Sequence, residues 1–208
     1  MGKRPGVRRR GRGGMQFRAA ATQKLKPAKY PSFSLDEERK GEIIDLVHES
    51  GRDVPLSKVR FEDGAISFIP APLGTKVGQR ISFGLNSEIS DGNVISIQNI
   101  PDGTIVWNVE KQFGDGGSFI KTAGADATVF SHADDGVILK LASGKFKKLN
   151  PKNRAMIGTL AGGGVEDRPF MRAGVKMMRF KSKGQKYPIV RGVAQAAYVH
   201  PHGGGRHQ

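Results

Sequence analysis

The last nine residues, HPHGGGRHQ (200–208), combine three histidines (His200, His202 and His207) with one arginine and three glycines. Zinc sites hold their ligands on rigid elements, and two histidines on either side of a proline beside glycines are a poor scaffold for one. A histidine acting as a general base needs an orienting acid, and residues 168–208 contain none. We therefore interpret this stretch as a finger whose glycines approach an RNA backbone closely while His200 and His202 stack on bases or hydrogen-bond to them.

An arginine run near the start, GVRRRGRGG (6–14), is typical of phosphate binding, because forked guanidinium groups match phosphate oxygens in pairs. A solubilising tail or a localisation signal is the alternative interpretation. Residues 1–30 show neither a helical nor a strand period, so we expect this segment to be disordered until a polyanion neutralises it. A membrane-surface role would need an amphipathic helix, and neither end of the chain shows one.

A third basic stretch, SGKFKKLNPKNRAMIG (143–158), lies inside the chain. If it forms a strand, Lys145 and Lys147 share one face because they alternate with Phe146, and Lys152 and Arg154 follow in the next loop. The alternative is a hairpin strand with a solvated basic face. Because the surrounding body is slightly acidic, we interpret the stretch as a binding face.

Other chemistries lack the residues they need. The glycine clusters GDGGS (114–118) and GGG (162–164) do not match a phosphate-binding P-loop, so we expect turns or bulges. The paired acids at Glu37–Glu38 and Asp134–Asp135 lie in polar, turn-like stretches, and no nucleophile-elbow motif is present. With no cysteine and no long apolar run, we expect a soluble cytosolic protein without disulfides, metal or cofactor.

The net charge of +15 is concentrated at the two ends of the chain. Residues 1–40 hold twelve basic and three acidic side chains, and residues 168–208 hold nine basic and no acidic ones. The intervening segment, 41–167, has thirteen basic against sixteen acidic residues. This distribution predicts two basic arms on a near-neutral body, as expected of a protein that binds nucleic acid.

Short apolar runs separated by turn signals predict an all-β body. The first series, within 41–100, indicates an oligonucleotide-binding (OB) barrel, and the second, within 101–165, an SH3-like barrel. We expect basic extensions at 1–40 and 166–208. The predicted strands are 42–48, 54–61, 65–70, 79–85 and 93–100 in the first series, and 104–109, 118–122, 127–131, 137–141, 145–149 and 156–160 in the second.

Four collinear motifs resemble the universal large-subunit ribosomal protein two family, in its archaeal branch. They are RRGRGGMQFRA near the start, NVEKQFGDGGSFIKTAGADATVFS in the middle, LASGKFKKLNPKNRAMIG after it and VRGVAQAAYVHPHGGGRHQ at the end. The resemblance covers essentially the whole chain. It implies OB and SH3-like barrels with basic arms and a structural, non-enzymatic role in translation.

The resemblance implies that the chain binds large-subunit ribosomal RNA and neighbouring ribosomal proteins, assists subunit association and supports the peptidyl-transferase region, in the cytoplasm. Neither a membrane nor a small-molecule substrate is expected. The RNA-contacting positions carried over are Arg8, Arg9, Arg10, Arg12, Arg18, Lys145, Lys147, Lys148, Arg154, Arg168, Arg172, Lys176, Arg191, His200 and Arg206. From their place in the basic stretches and in the histidine finger, Lys3, Arg4, Lys152, Arg179, Lys181, Lys183, Lys186 and His202 are expected to join them.

Two features depart from the family pattern. Members usually continue past the GGGRHQ stretch with another basic tail, whereas this sequence ends at Gln208. His202 occupies a position that is often aromatic in the archaeal branch. The alternatives to a ribosomal role are an extraribosomal RNA-binding factor built from the same barrels, and an enzymatic use of His200 as a base or metal ligand.

Overall fold

The computed structural model describes residues 2, 4–19, 24–25, 27–31, 37–85 and 87–206. The chain divides into two compact units, one formed by Leu25–Arg168 and the other by Met1–Lys24 together with Pro169–Gln208. The first, which we call the body, is all-β, as the sequence predicts. We call the second the terminal unit, because it contains both ends of the chain.

Ten strands of the body form one hydrogen-bonded sheet in the order β3-β2-β1-β4-β5-β10-β6-β7-β8-β9. Neighbouring strands are antiparallel except for β4 and β5, which are parallel. This all-β body is the one expected of an OB barrel followed by an SH3-like barrel. The strands are β1 Arg39–Val47, β2 Leu56–Phe61, β3 Ile66–Pro70, β4 Arg80–Phe83, β5 Val94–Ser96, β6 Ile105–Trp107, β7 Ala127–Ala133, β8 Gly136–Leu141, β9 Phe146–Leu149 and β10 Arg154–Ile157.

Three of the strand predictions are wrong in part or whole. The predicted strand at 156–160 is observed as β10, Arg154–Ile157, and the φ of +97° at Gly158 ends its extended backbone. The predicted strand at 118–122 is only an isolated bridge between Val109 and Phe119. Ile120 has a φ of +57°, a left-handed conformation that interrupts extended backbone. In the predicted strand at 93–100, β5 ends early and Ile97–Asn99 forms a 3₁₀ helix.

The three central strands, β5, β10 and β6, separate two hydrophobic cores. Successive side chains of a strand point to opposite faces, so Met156 of β10 packs into the core that contains Phe83, while Ile157 packs into the core that contains Leu139. All four residues of β10 are buried. Burial of both faces explains the continuous apolar runs of these strands, which show no polar alternation.

The terminal unit contains two α-helices that the sequence interpretation missed: α1, Gly6–Arg10, and α2, Ala173–Ser182. Short 3₁₀ helices occupy Met15–Phe17 and Gly192–Ala194. Lysine, arginine and methionine all have good helix propensity, so the composition of α2 permits a helix even though its basic residues obscure an amphipathic period.

A buried ion pair joins the start of β10 to the chain just after β6. The Arg154 guanidinium donates to both carboxylate oxygens of Glu110, through Nη2 at 2.7 Å and Nε at 3.1 Å. The Arg154 side chain is 2% exposed and that of Glu110 is fully buried. The backbone N–H groups of Arg154 and Gly116 also donate to this carboxylate, so each of its oxygens accepts two hydrogen bonds.

Tyr30 extends this buried network to the N-terminal side of the body. Its hydroxyl lies 3.2 Å from the carbonyl oxygen of Arg154 and 3.3 Å from that of Asn108, and its ring lies against the Arg154 guanidinium. Burial raises the pKa of Tyr30 well above its ordinary value, with a further contribution from Glu110. Residues 28–30 therefore differ from the disorder expected of 1–30, because Ala28 and Tyr30 are buried in the body.

The GDGGS stretch forms the turn that covers the ion pair, in agreement with the sequence interpretation. Gly117 has a φ of +83°, and a Cβ at this position would collide with the side chain of Asn108. Lys121 donates to the carbonyl oxygens of Ala28 and Gly117, and its partial burial lowers the pKa of its ammonium group to about 8. The lysine thereby ties this turn to the segment that leads to Tyr30.

Replacing Glu110 with glutamine tests whether the ion pair holds the body together. We expect Glu110→Gln to lower the free energy of unfolding by about 3–5 kcal/mol, because it leaves the Arg154 charge buried and unbalanced. Urea denaturation of the full chain measures this difference. The control is Glu42→Gln, which breaks the exposed pair with Arg60 and should cost about 1 kcal/mol or less. Equal losses in the two variants would contradict the assignment.

Candidate nucleic-acid interface

A groove with a volume of about 710 Å³ lies between β9 and the chain that follows β6. Three lysines line it: Lys147 and Lys148 from β9, and Lys111 from the opposite side. Its remaining lining residues are Gln112, Asp115, Phe119, Leu149 and Asn150. Cations, amides and an aromatic ring in one concave surface fit the phosphates and bases of a nucleic-acid strand.

Two acids reduce the positive charge of this groove. Partial burial acts to raise the pKa of Asp115, but hydrogen bonds from the Ser118 hydroxyl and from the N–H groups of Lys111 and Gly117 outweigh it, so the pKa is lowered. Asp135 pairs with Lys148, whose hydrogen bond and charge lower the pKa of that carboxyl. Lys147 and Lys111 are therefore the groove cations that we expect to contribute most to binding an anion.

The predicted alternation along the basic strand is present, with one difference. Lys145 and Lys147 lie on the same face, but that face also carries Leu149, which contributes to the core. Lys147 lies opposite Leu139 of β8 in the sheet register. It is therefore on the face of β9 that packs against the core, but its side chain is exposed. Lys145, Lys148 and Lys152 are also exposed. The structure thus leaves all four lysines accessible.

The burial of Arg154 argues against the predicted contact with RNA. It begins β10 instead of lying in a loop, and its guanidinium group is enclosed by Glu110 and the rings of Tyr30 and Phe113. A phosphate would have to displace a buried carboxylate to reach it, at a large desolvation cost. We therefore assign Arg154 a role in the fold and remove it from the RNA-contacting set.

Most predicted cations at the two ends of the chain are accessible. Lys3 lies outside the described residues, Arg10 lies in α1, and Arg9, Lys176, Arg179, Lys183 and His200 are half-buried. Arg168 ends the body and is exposed. The remaining exposed members of the predicted set are Arg4, Arg8, Arg12, Arg18, Arg172, Lys181, Lys186, Arg191, His202 and Arg206.

Two cations of α2 pack against aromatic rings within the terminal unit. The Lys176 ammonium lies 5.7 Å from the centre of the Phe170 ring and 5.3 Å from that of Tyr187, and Arg179 lies 5.4 Å from that of Phe170. Such contacts stabilise a cation by about 0.5–1 kcal/mol at exposed sites. Phe170 and Tyr187 were not among the predicted site residues, and their positions beside the basic residues 172–186 were the sequence signal that could have identified them.

His200 lines a cavity of about 530 Å³ in the terminal unit, together with Arg9, Lys186 and several apolar side chains. Its Nδ1 accepts a hydrogen bond from the His202 backbone N–H at 3.1 Å. Gly192 packs so closely that a Cβ there would lie 2.8 Å from Nε2. The histidine is therefore held by close backbone contacts within the predicted glycine-rich finger.

The described residues contain no cluster of three or more histidine, aspartate or glutamate side chains arranged to hold a metal ion. None of the helices in this part of the chain has the length and apolar character that crossing a bilayer requires.

Comparisons with known proteins agree with the resemblance read from the motifs. A family model described as "Ribosomal Proteins L2, C-terminal domain" matches residues 90–208. The chain is 73% identical over 208 residues to the large ribosomal subunit protein uL2 of Cenarchaeum symbiosum, covering all of this chain and 86% of that protein. It is 72% identical to the protein of the same name from Nitrosopumilus maritimus and 42% identical to that from Sulfurisphaera tokodaii, again over the whole chain.

The groove predicts a specific salt dependence. Each phosphate contact adds about 0.7 to the slope of log affinity against log salt concentration for single-stranded nucleic acid. We expect Lys147→Gln to weaken binding of the full chain to single-stranded RNA and to reduce that slope by about this amount. Fluorescence anisotropy over a salt series measures both values.

Lys76→Gln is the matched control, because Lys76 is an exposed lysine outside the groove. This variant should bind with a slope close to that of the unmodified chain. A Lys147→Gln slope equal to that of the control would show that the groove makes no phosphate contact.

Proposed function

Because the chain belongs to the ribosomal protein L2 family, in its archaeal branch, we propose that it is a structural constituent of the large ribosomal subunit that binds large-subunit ribosomal RNA. The observation that carries the proposal is the collinear match of the whole chain to relatives named as large ribosomal subunit proteins, at up to 73% identity. A net charge of +15 with basic ends fits an RNA partner.

The proposed contacts come from two parts of the chain. In the body, Lys111 and Lys147 face the groove and bind phosphate, while Lys145 and Lys152 extend the basic surface around it. In the terminal unit, the accessible arginines and lysines bind further phosphates. Part of the resulting affinity offsets the entropy lost when the segments at the two ends are ordered on RNA.

The same proposal includes more specific partners. We infer contacts with neighbouring ribosomal proteins and with the small subunit, and a supporting role for the peptidyl-transferase region. The histidine cavity fits an RNA contact of this kind, because it brings Arg9, Lys186 and His200 to one surface. Positively charged and apolar groups together suit a folded RNA segment with both phosphates and an unpaired base.

We also propose that the chain has no catalytic activity of its own and that RNA catalyses peptidyl transfer in the region that the chain supports. Nδ1 of His200 accepts a hydrogen bond from a backbone N–H. In a catalytic histidine, Nδ1–H donates to an acid that orients the ring, and the hydrogen bonds described for His200 include no such bond. His200 is better suited to positioning RNA than to moving a proton.

Sedimentation tests the proposal directly. A tagged full chain is expressed in its native cells, ribosomes are washed in high salt, and the subunits are separated on a gradient. We expect the chain to co-migrate with the large subunit at about one copy per subunit, because many phosphate contacts act together. Release of the chain into the light fractions would overturn the proposal in favour of an extraribosomal RNA-binding factor.

A matched pair of variants controls for non-specific retention. His200→Gln should co-migrate with the large subunit at reduced occupancy, because it loses only one contact surface. Asp63→Asn, which removes an exposed acid paired with Arg39 on the body surface, should co-migrate like the unmodified chain. Full occupancy of the His200 variant with loss of peptidyl transfer would instead support a catalytic histidine.

A further inference from the structure

Two phenylalanine rings lie exposed on the solvent face of the strands β7, β8 and β9. Phe130 is 54% exposed and Phe146 is 57% exposed. Their ring centres are 4.9 Å apart with an interplanar angle of 65°, so that one ring meets the other edge to face. An exposed apolar cluster on a soluble surface commonly marks a binding site. We call this pair, with the residues around it, the aromatic ledge.

Phe130 follows the buried Val129 in β7, so the alternation of side chains along the strand places it on this face. In the pairing of β7 with β8, Val129 lies opposite Leu139 and Ser131 lies opposite Ile138, so Phe130 is the additional residue in β7. The bulge interrupts the alternation after Phe130, so Ser131, opposite Ile138, lies on the same face as Phe130. Phe146 reaches the same face from β9, where it pairs with Lys140 of β8.

Two lysines lie on this face beside the rings. Lys140 of the central strand is exposed and pairs with Phe146, and Lys148 lies two positions after Phe146 on the same face of β9. Ile138 pairs with Lys148 and fills the space between the strands. Asp135 is the acid at this edge, and it pairs with Lys148. The ledge therefore presents two rings with lysines at their margins.

We propose that the aromatic ledge binds an unpaired base of RNA by stacking it on an exposed phenylalanine ring, with Lys140 holding the adjoining phosphate. This inference rests on the proposed function and adds to it a preference for single-stranded over double-stranded RNA. The lysines of the groove bind the backbone of any RNA, whereas stacking requires a base that is not enclosed in a duplex. A β-surface with exposed aromatic rings and flanking cations has the chemistry that single-stranded binding needs.

An RNA base fits the ledge better than a protein surface does. A protein partner would have to place an acid opposite Lys140 to avoid burying an unpaired charge, whereas every nucleotide carries a phosphate. A nucleotide supplies a flat π face and a phosphate a short distance apart, which matches the arrangement of ring and ammonium group. The chain's net charge of +15 favours the same partner.

The test compares two labelled RNAs on the full chain: a fluorescein-labelled oligoadenylate and a fluorescein-labelled RNA duplex. We expect the double variant Phe130→Leu with Phe146→Leu to bind the oligoadenylate about tenfold more weakly and the duplex as well as the unmodified chain does. Because stacking carries no charge, the salt slope should not change. Fluorescence anisotropy measures the affinities, and thermal unfolding confirms that the variant folds.

Two controls separate ring loss from general damage. Phe146→Tyr keeps an aromatic ring and should bind the oligoadenylate like the unmodified chain. Ile66→Ala removes an exposed apolar side chain from β3, at the opposite edge of the sheet, and should leave both affinities unchanged.

The outcomes distinguish this inference from the function on which it rests. An unmodified chain that binds neither RNA would contradict the proposed function. Normal RNA binding with equal oligoadenylate affinities for the unmodified chain and the double leucine variant would overturn the ledge alone. A double variant that binds both RNAs normally but loses a neighbouring protein from washed subunits would also overturn it, and would identify the ledge as a protein contact.

Discussion

The buried pair of Arg154 and Glu110 is the constraint on which the architecture of the body depends. Arg154 begins β10, the strand that separates the two cores, and Glu110 lies in the chain that folds over it. Four hydrogen bonds to one carboxylate fix the position of both segments. Because a buried charge without its partner is costly, Tyr30, the GDGGS turn and β10 must assemble together around this pair.

The same pair determines which cations are available to RNA. Arg154 and Lys147 lie only seven positions apart, yet one is enclosed by the protein and the other lines an open groove. The Glu110 carboxylate and the rings of Tyr30 and Phe113 enclose the Arg154 guanidinium, whereas the groove lysines are exposed side chains. By ordering the chain after β6, the buried pair also positions Lys111 across the groove from β9. Fold and binding surface thus depend on one interaction.

Alternating apolar residues and turn motifs were sufficient to predict most of the strands, including β7, β8 and β9, because these properties are local. The burial of Arg154 was not predictable in this way, since its partner is 44 positions distant and a basic stretch gives no sign that one of its members is enclosed. The aromatic ledge depends on the register that brings Phe130 of β7 and Phe146 of β9 together, and local sequence patterns do not reveal this register. The helix α2 was missed because its basic residues obscure the apolar period, and the set of RNA contacts as a whole stays a prediction.

A cryo-electron microscopy reconstruction of the large ribosomal subunit from native cells tests the central claim most directly, because it locates buried and exposed cations together. The account predicts that the Arg154 guanidinium lies against the Glu110 carboxylate, while the Lys147 and Lys111 ammonium groups lie within ion-pair distance of ribosomal RNA phosphates. An Arg154 side chain turned outward onto a phosphate, with Glu110 separated from it, would contradict the account. So would a groove that faces solvent throughout.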